Sequence, residues 1–233
     1  MNIVYNANTN EQIEISKLNK MKIAVICNGW FMHPHNNNYI FPPPHFIIPL
    51  FVSIHLTSLD NNIMYNDDNI KYFKNYEPIG CRDKFTYDNL TSRGINCYFS
   101  GCLTLNLKNK FTERNDLIYY STNFKPEIKD TNTKYIYHGG QFNKNSIKER
   151  LNIAQHHYLE KYMTAKKVYT DRLHCYMPCL AFGTDVTFLS PYANSEIRFV
   201  GLINEKKEIL IDRLNEAKKH INDFIIKFKI KSP

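Results

Sequence analysis

Short strand-like segments alternate with helical segments along most of this chain of 233 residues. The clearest strand is Lys22 to Cys27, which is short and apolar. Long amphipathic helices are predicted over Ser146 to Thr164 and over Glu205 to Phe228. This alternation is typical of α/β layers with mainly parallel strands, in which ligands bind at the carboxyl ends of the strands.

The stretch from Val168 to Gly183 joins a predicted strand to a predicted helix through polar residues. The helix, Leu173 to Phe182, is mostly apolar and is therefore expected to be buried, and Arg172 and His174 lie in its first turn. The first N–H groups of a helix have no partner inside it, and its dipole favours negative charge there. An arginine beside them can hold a phosphate or carboxylate with two parallel hydrogen bonds, which makes this stretch a candidate anion site.

A similar arrangement occurs earlier in the chain. Arg82 follows a short predicted strand, and Asp83 is placed to cap a helix predicted over Lys84 to Arg93, which Gly94 ends. Two arginines presented in this way could converge from two sides of a cleft. The alternative is structural, because each arginine has an aspartate neighbour, Asp83 or Asp171, with which it can form an ion pair.

The balance of charge narrows the choice of partners. The chain carries 30 Lys and Arg against 22 Asp and Glu, a formal net charge of +8. This excess is either a property of solvated lysine-rich surfaces or a sign of an anionic ligand. The sequence has no run of basic residues interleaved with aromatic residues, so nucleic acid is not expected as a partner.

No segment predicts a membrane span, a secretory signal or a metal site. The first 20 residues are polar, and the longest apolar run, Phe46 to Leu56, is shorter than the roughly 20 residues that a bilayer takes. We therefore expect a soluble, cytoplasmic protein. Pro49, Ser53 and His55 interrupt the run, and Pro49 argues against a regular central strand. Cys175 and Cys179 share a helix face, but the ligand spacing of zinc sites is absent.

The polar segment Lys108 to Arg114 is predicted to link two halves. The predicted domains are residues 1–107, residues 108–204 with the Arg172 motif, and a C-terminal helix in residues 205–233. Second-line candidates for ligand binding follow predicted strands: Trp30 and His33 in the first half and His138 in the second. Packing or a surface position is the commoner role for such residues.

Several of these stretches together resemble the polysaccharide pyruvyl transferase family. The matching segments are Asn28 to His33, Pro49 to Phe51, Glu77 to Asp83, Tyr98 to Leu105, Thr170 to His174 and Pro178 to Thr184. They span residues 22–203, and their order and spacing, more than any one motif, carry the resemblance.

The resemblance implies two Rossmann-like halves in a GT-B-like arrangement. It also implies an enzyme, a transferase that moves a pyruvyl group from phosphoenolpyruvate onto two hydroxyls of a sugar or polysaccharide and forms a cyclic ketal. The family's Arg-Leu-His motif is associated with the donor and matches Arg172, Leu173 and His174, while its Ile-Gly-x-Arg-Asp motif places a donor-binding arginine at Arg82. The implied partners are phosphoenolpyruvate and a glycan or glycolipid acceptor, with no cofactor.

The residue types suit this chemistry. Phosphoenolpyruvate carries a phosphate and a carboxylate, which arginines and helix N-termini bind. Ketal formation needs a proton delivered to the enol methylene and a proton taken from an attacking hydroxyl. A histidine with a pKa near neutrality can do either, so His174 is the candidate for acid/base catalysis or for orienting the phosphate.

The chain departs from the family pattern in two places. Family members usually begin with a Gly-Asp strand–helix segment that residues 1–20 do not supply, so the N-terminal half is expected to be shortened. Asp171 stands where a small hydroxyl residue is common, and a carboxylate there would weaken phosphate binding unless it turns away to cap the helix. Two alternatives share the fold: a nucleotide-sugar glycosyltransferase, and a non-catalytic glycan-binding descendant of the family.

Overall fold

The computed structural model describes residues 3–5, 12–14, 22–31, 41–57, 63–123, 125–127, 131–137, 146–190 and 196–228. The candidates His33 and His138 lie outside these residues, as does the side chain of Trp30. The chain divides into two compact units. Unit 1 comprises Met1–Val4, Ile13–Leu103 and Ser195–Pro233, and unit 2 comprises Tyr5–Gln12 and Thr104–Asn194.

The described strands form two parallel four-stranded sheets and one two-stranded sheet. The strands are β1 (Ile3–Tyr5), β2 (Gln12–Glu14), β3 (Ile23–Phe31), β4 (Ile47–Leu56), β5 (Ile79–Cys81), β6 (Cys97–Phe99), β7 (Ile118–Ser121), β8 (Thr133–Tyr135), β9 (Lys167–Thr170) and β10 (Asp185–Phe188). One large sheet has the order β3-β4-β5-β6 and the other β10-β9-β7-β8. The predicted α/β fold is confirmed, and each sheet is consistent with a Rossmann-like half.

Helices connect many of these strands. They are α1 (Asp67–Lys74), α2 (Lys84–Thr91), α3 (Ile147–Ile153), α4 (Glu160–Thr164), α5 (Leu173–Phe182) and α6 (Lys207–Lys227), with 3-10 turns at Ile63–Tyr65 and Leu103–Asn106. A π-helical stretch, Ala154–Leu159, joins α3 to α4 where the sequence predicts one long helix. The bounds predicted for α5 are confirmed residue for residue. In the described part of the chain, no helix combines the length and apolar character that a membrane span needs.

Unit 1 packs apolar side chains on both faces of its sheet. On one face, Phe51, Ile54 and Leu56 of β4 join a core with residues of α1, β5 and α2. On the other face, Val52 and Tyr98 pack against Ala217 of α6. The C-terminal helix, which the sequence sets apart from both halves, therefore belongs to unit 1.

The start of unit 1 differs from the sequence prediction in two details. β3 continues through Gly29 to Phe31, so Trp30 lies within the strand, in register with His55, and not beyond its end. The expectation that Pro49 argues against a regular central strand is met only in part, since β4 lies between β3 and β5 but carries a register shift against β3. β5 pairs with β4 only at Ile54, so at Pro49 the strand has a neighbour on one side only, where a residue without an N–H is tolerated.

Unit 2 buries one face of its sheet under α4 and α5. Tyr119 of β7 and Val168 of β9 face Tyr162 of α4 and Cys175 of α5 in one core. α5 ends where Gly183 adopts a left-handed conformation with φ of 69°, as the sequence predicts for a helix-stopping glycine. The polar residues that follow β7 and β9 therefore lie at the carboxyl edge of this sheet.

Candidate functional site

A β-bulge in β4 directs His55 away from the core. Cys27 pairs with Phe51 and Gly29 with Ile54, so β4 carries one extra residue there. In a regular strand Phe51 and His55 would share a face, because alternate residues do. The extra residue instead groups Ile54 and Leu56 with Phe51 in the core. His55 consequently points to the opposite side, near the carboxyl ends of the strands.

Ser53 forms this bulge and is held in place by neighbouring strand ends. Its φ of 56° lies in the left-handed region, which is uncommon for serine. Its N–H donates to Oγ of Ser100 at 3.0 Å, and the Ser100 hydroxyl donates to the carbonyl of Cys81 at 2.9 Å. These bonds link the bulge in β4 to residues at the ends of β5 and β6, and so the strain is maintained by the surrounding structure.

His55 and Asp83 form a fully buried pair. Nδ1 of His55 lies 2.5 Å from Oδ2 of Asp83, and both side chains are 0% exposed. Because a carboxylate only accepts, the imidazole donates from Nδ1, and Nε2 is then the acceptor for the Thr57 hydroxyl at 3.2 Å. Burial lowers the pKa of His55, although the hydrogen bond and charge of Asp83 raise it in part.

Asp83 also caps α2, as the sequence predicts. Its Oδ1 accepts from the backbone N–H of Thr86 at 2.9 Å and from the Thr86 hydroxyl at 3.0 Å. The Thr86 hydroxyl in turn accepts from the N–H of Leu56 at the end of β4. A single buried carboxylate therefore connects β4, β5 and the first turn of α2.

Arg82 lies beside this carboxylate with unused hydrogen-bonding capacity. The residue is 5% exposed, and its Nε is 3.6 Å from Oδ2 of Asp83, within ion-pair range but beyond a hydrogen bond. Burial lowers the pKa of Arg82, and the charge of Asp83 opposes that shift. Arg82 therefore forms the ion pair with Asp83 that a purely structural role would require, but no hydrogen bond accompanies it. The Asp83 oxygen in that ion pair, Oδ2, is already bonded to His55.

The second cluster, in unit 2, is organised around Asn123. The Asp171 carboxylate accepts from the backbone N–H of Asn123 at 3.0 and 3.2 Å. Nη2 of Arg172 donates to the side-chain oxygen of Asn123 at 2.5 Å. The Asp171 carboxylate has therefore turned away from the anion site, although it does not cap α5. Among the described residues, Arg172 forms no ion pair with Asp171, because a neutral amide holds the guanidinium instead.

Among the described residues, no side chain caps the start of α5. Arg172 is the N-cap residue of this helix, in an extended conformation. Leu173, the first helical residue, is buried and anchors the helix, whereas His174, the second, is exposed. The predicted trio therefore lies together at an uncapped helix N-terminus, with the imidazole facing solvent.

One property is shared by the two predicted arginines. Among the described residues, the buried side-chain atoms without a hydrogen-bond partner are Tyr72 Oη, Arg82 Nε, Tyr98 Oη and Arg172 Nε. A guanidinium whose Nε–H is unused can offer it together with an Nη–H as a fork to a carboxylate or phosphate. Both arginines therefore have the donor capacity that an oxyanion requires.

Sequence reasoning missed His55 and its pairing with Asp83. The available signal was a histidine inside an otherwise apolar run, since buried polar side chains are rarely left unpaired. In the described residues, no three His, Cys, Asp or Glu side chains cluster as the ligands of a metal ion would.

A family model described as polysaccharide pyruvyl transferase matches residues 4–192. This match includes both arginine clusters and most of the 233 residues. No curated protein matches the chain.

Proposed function

The chain belongs to the polysaccharide pyruvyl transferase family and is a transferase, and we propose that it moves a pyruvyl group from phosphoenolpyruvate to a pair of sugar hydroxyls. The acceptor is a glycan or glycolipid, and the product is a cyclic ketal. Arg172, Leu173 and His174 carry the family's donor motif, and Arg82 its second arginine. The GT-B-like arrangement of the two halves is part of the same proposal.

The unused Nε atoms of Arg82 and Arg172 are the observation that carries this proposal. Leaving a charged donor buried without an acceptor is costly, and such groups in native proteins commonly await a ligand or an ion. Phosphoenolpyruvate offers a phosphate and a carboxylate, the two oxyanions that bind a guanidinium fork best. The uncapped start of α5 adds backbone N–H donors beside Arg172.

The reaction balances without a cofactor. A proton adds to the enol methylene, one sugar hydroxyl attacks the adjacent carbon, and that hydroxyl loses its proton. The bond from this carbon to the phosphate oxygen then breaks and inorganic phosphate leaves. The second hydroxyl attacks the same carbon and loses its proton, which closes the ketal. Two protons leave the acceptor, one enters the new methyl group, and one goes to phosphate or solvent.

We assign the proton transfers to His174. It is exposed at the start of α5, beside Arg172, where the phosphate would bind. An imidazole near neutrality exchanges protons in both directions, as the methylene and the hydroxyls require. Leu173 positions the helix start through its buried side chain.

Pyruvyl transfer is tested with the purified chain, phosphoenolpyruvate and glycans that present free hydroxyl pairs. The expected result is a product heavier than the acceptor by one pyruvic acid less one water, with one inorganic phosphate released per ketal. Arg172→Ala is expected to abolish donor binding without unfolding the chain, since the side chain is only partly buried and its hydrogen bond is to the neutral amide of Asn123.

The alternatives give different results in the same assay. Stabilisation by a nucleotide sugar, without pyruvyl transfer or phosphoenolpyruvate binding, would replace the proposal with glycosyl transfer. Binding of glycans with no turnover of either donor would indicate a non-catalytic descendant.

A further inference from the structure

Arg198 lies outside residues 4–192, the part of the chain that the family model matches. It belongs to a turn over residues 196–204 that follows unit 2 in the sequence but is part of unit 1. The turn leads into α6. Neither of the arginine clusters described above includes this residue.

A backbone hydrogen bond attaches the turn to the Arg82 cluster. The carbonyl of Val200 accepts from the N–H of Lys84 at 3.2 Å, and Lys84 is the first residue of α2. Arg198 precedes Val200 by two residues, and Arg82 precedes Lys84 by two residues. The side chains of Arg198 and Arg82 therefore both extend from backbone close to the hydrogen bond between Lys84 and Val200.

The turn is fixed from a second side as well. The backbone at Gly201 packs against the ring of Phe99, where an added Cβ would lie only 2.8 Å from the ring. Nη1 of Arg213 donates to the Gly201 carbonyl at 2.6 Å, and its guanidinium lies 3.9 Å from the Phe99 ring centroid. The fold therefore determines where Arg198 is presented.

The charge of Arg198 acts on the buried cluster. Burial is the largest cause of the lowered pKa values of Arg82 and His55, and the positive charge of Arg198 contributes to both. The side chain of Arg198 is 41% exposed and that of Arg82 is 6% exposed. Arg198 is thus a more exposed positive charge that acts on the buried Arg82.

Glu196 supplies an anion to Arg198 within the same turn. Its carboxylate is ion-paired with Nε of Arg198, and its side chain is 27% exposed. Partly exposed ion pairs of this kind are weak. A phosphate, with more charge and three acceptor oxygens, can therefore replace the carboxylate on the guanidinium.

We propose that Arg198 is a further donor-binding residue, which exchanges the Glu196 carboxylate for the phosphate of phosphoenolpyruvate and binds that phosphate together with Arg82. The identity of the donor rests on the proposed function, whereas the site itself requires only a phosphate group. Glu196 competes with the ligand and so lowers its affinity.

Titration calorimetry on the full chain, with phosphoenolpyruvate and separately with inorganic phosphate, tests this assignment. Arg198→Gln is expected to weaken both ligands about tenfold. Glu196→Gln is expected to strengthen both about threefold, because it removes the competing carboxylate. Arg93→Gln is the matched control: it removes one positive charge from unit 1, but Arg93 is exposed, donates to the carbonyl of Asn89 in α2 and lies over the Tyr65 ring, so both affinities should be unchanged.

Because Arg198→Gln and Glu196→Gln are expected to change the ligand affinities in opposite directions, the two variants distinguish ligand binding from a structural role. If the ion pair only stabilises the turn, Arg198→Gln and Glu196→Gln will lower the melting temperature alike and change the affinities by the same factor, which would overturn the proposal. Ketal formation is measured independently. A wild-type chain that binds phosphate through Arg198 yet forms no ketal would refute the proposed function and leave this assignment standing.

Discussion

Arg82 and Arg172 both follow a parallel strand and precede a helix, but the adjacent aspartate stands on opposite sides of them. In unit 1 the order is Arg82-Asp83, and Asp83 caps α2 through the N–H of Thr86. In unit 2 the order is Asp171-Arg172, the carboxylate bonds elsewhere, and α5 has no side-chain cap. The order of two neighbouring residues therefore determines whether a helix N-terminus is occupied by the protein or left for a ligand.

Burial separates the two clusters further. Asp83 and His55 are 0% exposed and Arg82 5%, whereas His174 is exposed and Arg172 only partly buried. Changes in the unit 1 cluster should therefore affect folding and binding together. Changes in the unit 2 cluster should affect binding and catalysis with little effect on folding.

The largest expected effect on activity is at His174. His174→Asn is expected to lower kcat about 100-fold to 10,000-fold, the usual range for loss of a general acid or base, at an unchanged melting temperature. His156→Asn is the control in unit 2, where His156 is ion-paired with Glu160 on its own helical segment. Equal kcat values for His174→Asn and wild type would remove the acid/base assignment.

Substitution of the two aspartates, Asp83 and Asp171, should lower the stability of the protein by different amounts. Asp83→Ala leaves the buried charge of Arg82 without its ion-pair partner and the Nδ1–H of His55 without the carboxylate that accepts it, and is expected to lower the free energy of unfolding by about 3–5 kcal/mol. Asp171→Ala removes the acceptor of one backbone N–H and is expected to cost about 1 kcal/mol. Urea unfolding measures both, and similar losses would contradict the contrast in burial.

The glycines that follow the two helices should behave alike. Gly94 after α2 and Gly183 after α5 have φ of 72° and 69°, and among the described residues a Cβ at either would meet one side-chain nitrogen, 3.7 or 3.8 Å away. Each Gly→Ala change is therefore expected to cost about 1 kcal/mol through the left-handed backbone alone. Thermal unfolding would challenge this view if one variant lost several times more stability than the other.

The smallest expected effect is the contribution of His55 to the pH dependence of the free energy of unfolding. Burial lowers its pKa in the folded chain from the ordinary value of 6.5. Below pH of about 6.5 the unfolded chain therefore binds a proton that the folded chain does not, so the free energy of unfolding falls as the pH is lowered through this range. Urea unfolding at several pH values should show a shallower dependence in His55→Gln. An identical dependence in both proteins would rule out this role.

The features that depend only on residues close together in the sequence could be predicted from it. The bounds of α5, the Asp83 cap and the glycine stop after α5 all follow from residues within one or two helical turns. The clustering of Arg172, Leu173 and His174 follows in the same way. For the candidate site, the sequence therefore supplied the motif of unit 2 and the arginine of unit 1.

Features that depend on distant pairing could not be predicted in this way. The direction of His55 depends on a bulge that exists only relative to β3, and on the left-handed backbone of Ser53. Pro49 is tolerated because β5 does not reach it, which the composition of β4 does not reveal. Likewise, the assignment of α6 to unit 1 depends on contacts with Val52 and Tyr98, far away in the chain.

Calorimetric titration of phosphoenolpyruvate into wild type, Arg82→Gln and Arg172→Gln tests whether both arginines bind the donor, with melting curves to verify that each variant is folded. Each substitution is expected to weaken binding about tenfold to 100-fold, because each removes a charged hydrogen-bond donor to an oxyanion. Arg93→Gln should bind like wild type. Wild-type affinity in either folded arginine variant would contradict the assignment of that arginine to the donor.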